Sequence, residues 1–212
     1  MLSRQVWVEL TVAPGQLGSS PRTDTFRNFL HLPRRPVGVV HVVCWGYNEP
    51  WGGRNAAGVR EARRTRKRKK GPVDVPAERL AYLRQYHLRL ELQEFVEVCD
   101  KLAAVWKPGR NKETKFWLIV ALAKADLYPD DLDRARAYYG PDAKSEFGRT
   151  LRRLQQRVPG LECRVVPVSS GPTTYGEDLD LGFRVEPALD ATQSTKMLDD
   201  FWIAVEEFCG AR

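Results

Sequence analysis

The sequence predicts an α/β fold, a mainly parallel sheet flanked by helices, and three observations predict it. Four short runs are rich in β-branched and apolar residues. Two of them, 37–45 and 116–122, are apolar almost throughout, as strands covered on both faces are. Stretches with helical spacing of apolar residues separate the later runs, and such alternation belongs to α/β architecture.

The first strand is expected at 6–13 and is ended by Pro14 and Gly15. Residues 17–36 are polar and broken by proline and glycine, with a short helical stretch around 25–30. The second strand is 37–45. Residues 46–76 read as a basic, flexible linker or insertion, because they hold Gly46, Pro50, Gly52, Gly53, Gly71, Pro72 and Pro76.

Leu80, Leu83, His87 with Leu88, Leu92, Phe95, Cys99, Leu102 and Trp106 recur at helical steps and predict a long amphipathic helix over 77–106. Pro108 and Gly109 stop it. The third strand is 116–122. Asp130 is expected to cap a short helix ending before Gly140 and Pro141. A further helix spans 144–158, with Phe147, Leu151, Leu154 and Val158 on one face. The fourth strand is 163–168, where Pro167 marks a strand end or a sheet edge. Residues 171–193 read as a loop with an extended piece at 182–186. The last helix is 195–209, with Leu198, Phe201 or Trp202, Val205 and Phe208 inward. The order is β, β, α, β, α, α, β, α, in one domain over 1–212 with no internal repeat.

The chain has 212 residues, 42% of them apolar, which suffices for a real core and excludes wholesale disorder. No run approaches the roughly 20 apolar residues of a membrane span, so no membrane partner is expected. The first residues lack a signal-peptide apolar core. Cys44, Cys99, Cys163 and Cys209 lie far apart without a C-x-x-C, which suits free thiols in a reducing cytoplasm. His31, His41 and His87 add no zinc spacing, and Glu177, Asp178 and Asp180 form an acidic loop without the ligand spacing of a named metal, so no metal is expected. His41 and Cys44 are three apart on a strand and face opposite ways, which argues against a dyad. Ser19, Ser20, Ser169 and Ser170 lack the nucleophile-elbow pattern. No catalytic residue is expected.

The charge is concentrated. Arg60, Arg63, Arg64, Arg66, Lys67, Arg68, Lys69 and Lys70 stand against Glu61 alone, which equals the whole net charge of +7. This run is a candidate contact for nucleic acid or an acidic partner, and Trp45, Tyr47 and Trp51 before it could stack on bases. The plain alternative is a solvated loop.

Ligands of open parallel sheets bind at the carboxyl ends of the strands. The residues there are Ala13-Pro14-Gly15-Gln16, Gly46-Tyr47-Asn48, Ala123-Lys124-Ala125-Asp126 and Ser169-Ser170-Gly171. In that order they resemble a Ras-like P-loop GTPase domain, over roughly 5–208. That family ends successive strands in Asp-x-x-Gly-Gln, Asn/Thr-Lys-x-Asp and a Ser-Ala-like turn. The resemblance implies that Asp126 accepts hydrogen bonds from guanine and that the Lys124 stem lies over the base. It implies that backbone near Ser169 and Ser170 meets the guanine oxygen, with GDP or GTP as the ligand. Gly15 and Gln16 would be a degenerate switch. The plain alternatives are a turn carboxylate for Asp126, a solvated Lys124 and a turn residue at Gln16.

The departures are on the phosphate side. There is no G-x-x-x-x-G-K-[ST], the Mg²⁺-binding Asp is Val12, and the Asn/Thr of the base motif is Ala123. The strand carrying the phosphate loop would lie between 6–13 and 37–45 in the sheet. Either those two pair directly, a partner supplies the missing strand, or the chain is a fragment. The expectation is a pseudo-GTPase or GTPase-domain fragment that acts by binding a partner, with weak guanine-nucleotide affinity and no hydrolysis of its own. The alternative is a nucleic-acid-binding or assembly protein using 60–70.

Overall fold

The computed structural model describes residues 38–48, 53–64, 75–105 and 116–209, and in them a three-stranded parallel sheet carries helices on both faces. The strands are β1 (Gly38–Val43), β2 (Trp117–Leu122) and β3 (Glu162–Pro167), in that order across the sheet. Gly38 pairs with Trp117, and Trp117 with Glu162. The expected strand 6–13, the helical stretch near 25–30 and the residues Gly15, Gln16, Ser19 and Ser20 lie outside the described residues.

Side chains of a strand alternate between faces, and here the alternation divides two cores. Val43, Leu118, Val120 and Leu122 enter the larger cluster, while Trp117, Ile119, Ala121 and Val166 enter the smaller. All six residues of β2 are buried, which is why that run is apolar throughout.

The larger cluster is covered by α1 (Gly53–Arg64), α2 (Val75–Val105) and α4 (Glu146–Arg157), with the short α3 (Leu132–Tyr139) beside it. The α2 stripe holds as expected through Leu83, Phe95, Cys99 and Leu102; Trp106 lies outside the described residues. Phe147, Leu151, Leu154 and Val158 of the α4 stripe are all at most 1% exposed. Phe147 stacks on Phe95 of α2 at 3.8 Å between ring centres. Ser145 caps α4 by accepting from the Gly148 amide at 3.0 Å.

The smaller cluster is covered by α5 (Ala191–Phe208). Phe208 stacks on Trp117 at 5.6 Å, and the Trp117 indole lies across Gly38, where a Cβ would stand 1.9 Å from the ring. Only glycine leaves the indole that place.

Four local expectations change. Residues 53–64, read as part of a flexible insertion, form α1. Its Val59 and Ala62 are buried, and a 12-residue segment with that face can dock as a helix despite its two glycines. The N-cap of α3 is Asp131 rather than Asp130, because Pro129–Asp131 forms its own 3₁₀ turn first. Helix α5 begins at Ala191, four residues early, because Asp190 and Gln193 form a capping box. Trp202, offered as an inward residue, is 44% exposed, since Ala204 and Val205 take the sheet-facing positions.

Candidate functional site

The carboxyl ends of the three strands form one rim. Backbone bonds continue the ladder past the strands: Ala123 donates to Val43 O at 2.8 Å, Val168 to Leu122 O at 2.9 Å, and Ala125 to Val168 O at 3.2 Å. These bonds bring the segments 44–48, 123–128 and 168–173 together.

After β2 the chain turns sharply. Lys124 adopts a left-handed conformation (φ 57°, ψ 34°), unusual for a side chain with a Cβ, and leads into the 3₁₀ turn Ala125–Leu127. The turn buries Asp126 to 1% exposure. Its Oδ1 accepts from Ser169 Oγ at 2.9 Å and its Oδ2 from the Thr173 amide at 3.2 Å. Ser169, also 1% exposed, lies 3.1 Å from Ser194 Oγ on α5. The Gly171 amide donates back to Ser169 Oγ at 3.3 Å. A buried carboxylate needs such donors to offset lost hydration.

Three aromatic residues wall this cluster. Tyr128 donates its hydroxyl to Ala123 O at 2.7 Å and stacks on Tyr47, 5.6 Å between centres and 2° from parallel. Tyr175 meets Tyr47 edge-on at 5.3 Å. Lys124 Nζ lies 5.4 Å above the Tyr175 ring, and the Arg84 guanidinium 4.6 Å above Tyr47. Burial raises the hydroxyl pKa of Tyr47 and of Tyr128, so both hydroxyls keep their protons, and Tyr128 donates its own.

The segment after β1 is held from inside. Trp45 (φ 51°) and Gly46 (φ 82°) are both left-handed, and a Cβ on Gly46 would stand 2.7 Å from Arg84 O. Glu91 of α2, 2% exposed, supports that turn: one oxygen, Oε1, accepts the amides of Cys44 at 3.0 Å and Gly46 at 3.3 Å. Tyr139 donates its hydroxyl to Oε2, and His87 Nδ1 lies 3.1 Å from Gly46 O. Burial raises the Glu91 pKa against the opposing pull of its donors.

Of the residues singled out from sequence, Lys124, Asp126 and Ser169 are thus brought together. Ser170 follows on the rim and is exposed. Gly15 and Gln16 lie outside the described residues. The basic run is divided: Arg60, Arg63 and Arg64 belong to α1, while Arg66, Lys67, Arg68, Lys69 and Lys70 lie outside the described residues. Arg63 donates to Leu179 O at 2.8 Å, a tie within the fold, and Arg64 pairs with Glu61 at 3.5 Å on the surface. In the acidic loop Glu177 pairs with Arg184 at 3.0 Å, and no group of three metal-ligating side chains occurs among the described residues. All four cysteines are free; burial pushes the Cys99 and Cys163 thiols up to about 12. No helix among the described residues is long and apolar enough to cross a membrane.

Glu91, Ser194 and Thr173 were not singled out from sequence. Glu91 had a readable signal: it stands four residues from both His87 and Phe95, on the apolar stripe of α2. The other two join the site through chain reversals that no local pattern encodes. Compared with known proteins, the chain matches no family model, no curated protein and no solved structure.

Proposed function

We propose that the chain is a Ras-like GTPase-type domain that keeps a guanine-recognition end, lacks phosphate and Mg²⁺ grip, and acts by binding rather than hydrolysis. The observation that carries this reading is the joining of Asp126 to Ser169 at 2.9 Å, with Lys124 two residues before Asp126, just past the carboxyl ends of the adjoining strands β2 and β3. A carboxylate, a lysine stem and a small polar turn at the carboxyl rim of a parallel sheet suit a base with adjacent N–H donors. The sequence has no phosphate loop, and hydrolysis depends on phosphate positioning and charge neutralisation, so binding is the output. A protein partner that extends the sheet fits the same reading. Among the described residues β1 pairs with β2 alone, and its Val42 is 58% exposed.

The test is a titration of the ¹⁵N-labelled chain with GDP and with ADP at millimolar concentration. The expected result is shifts in the amides of 124–127 and 169–173 with GDP and not with ADP, abolished by Asp126→Ala. Equal responses to the two nucleotides would refute the reading.

A further inference from the structure

We propose that the segment Thr173–Tyr175 is a built-in occupant of the base-recognition rim, so that a nucleotide must displace part of the chain to bind. The inference rests on the guanine-recognition reading above and adds its regulation.

The geometry is one of substitution. A purine held by Asp126 and Lys124 would offer two things: N–H donors to the carboxylate and a flat π-face to the lysine. The chain offers both already. The Thr173 amide donates to Asp126 Oδ2 at 3.2 Å, and the Tyr175 ring lies 5.4 Å beneath Lys124 Nζ. Asp126 Oδ1 is taken by Ser169, so both carboxylate oxygens accept hydrogen bonds from the chain itself.

The occupant is anchored on the far side. Tyr175 is 3% exposed and exchanges two backbone bonds of 2.9 Å with Val185. Its hydroxyl donates to Asn48 O at 3.4 Å, and its ring meets Tyr47 at 5.3 Å and Phe183 at 6.3 Å. Pro172, Thr173 and Thr174 are exposed, so the connection that would lift is on the solvent side.

Two consequences follow. The rim is satisfied without a ligand, so the fold does not depend on nucleotide. The apparent affinity for a guanine base is reduced by the fraction of chains in which the segment has lifted.

The experiment uses the full chain and guanosine, which presents the base without phosphates, with adenosine as the control. Tyr175→Leu keeps an apolar anchor but empties the flat slot; Thr173→Pro deletes the competing N–H and leaves Tyr175 in place. Circular dichroism establishes which variants fold, and the second variant decides if the first does not. The expected result is guanosine binding at least about tenfold tighter in either folded variant than in the parent, unchanged for adenosine. Adding Asp126→Ala should remove the gain. Parent and variants that bind guanosine equally well would overturn the occupant and leave base recognition standing. Folded variants that do not distinguish guanosine from adenosine would overturn base recognition, and the occupant with it.

Discussion

Glu91 supports the turn after β1 from the interior of the molecule. Its Oε1 takes two amides of that turn, and its Oε2 faces the Tyr139 hydroxyl. Glu91→Ala would leave two buried N–H groups and a hydroxyl without their acceptor. We expect a loss of about 3 kcal/mol by urea titration, a lower midpoint at similar slope. The acid form fits as well, because a proton on Oε2 reverses the bond to Tyr139 while Oε1 keeps both amides. The folded state holds its proton above the ordinary glutamate value of 4.5. The stability linked to that proton is therefore complete below the ordinary value and is lost as pH rises through the raised one. Measured against Glu91→Gln, the parent should gain relative stability as pH falls from neutrality toward 4.5; a difference independent of pH would refute this. The neighbours of Glu91 on the stripe are legible in the sequence and its own partners are not, because periodicity identifies a face and not what lies opposite it.

At the scale of elements, the well-read parts are those whose partners are interchangeable apolar surfaces. The α4 stripe needed only to be apolar every three or four residues. Leu151→Ala, at 0% exposure in the larger cluster, should cost about 3 kcal/mol in thermal or urea unfolding. Arg153→Ala on the exposed side should cost under about 0.5 kcal/mol, and equal losses would disprove the assigned face. The misread parts depended on particular pairs. Helix α1 was hidden because glycine at its start and cations at its end read as loop composition, whereas Gly58, Val59 and Ala62 are buried. The early start of α5 was legible in Asp190 and Gln193, three residues apart, but the apolar pattern begins later. On the rim, the strand ends single out Lys124, Asp126 and Ser169, and the fold brings the last two into contact. The return of 171–176 over them was invisible, since a loop's path is set by what it meets.

For the molecule as a whole, the concentration of charge at 60–70 separates the proposed function from its rival. A chain that binds nucleic acid through this run should show a steep salt dependence. Replacing Arg66, Lys67, Arg68, Lys69 and Lys70 by serine should then reduce the slope of log K against log salt by up to about 4.5 on duplex DNA, one phosphate per cation. The substitution leaves Arg63 and its bond to Leu179 untouched, and circular dichroism checks that the variant folds. An unchanged slope would remove the run from any nucleic-acid interface. The burial of β2 was legible because a strand covered on both faces has little choice of residue, whereas β1, apolar in the same way, leaves Val42 58% exposed.

Helix α5 meets the rim near its start and packs on the sheet toward its end. Near its start Ser194 meets Ser169, which holds Asp126; at its end Phe208 lies on the Trp117 indole, which rests on Gly38. Its 18 residues make a rod about 27 Å long. The rod ties the chemistry at one end of the sheet to an indole at the other, so emission from Trp117, one of six tryptophans in the chain, is expected to respond when the rim tilts the helix.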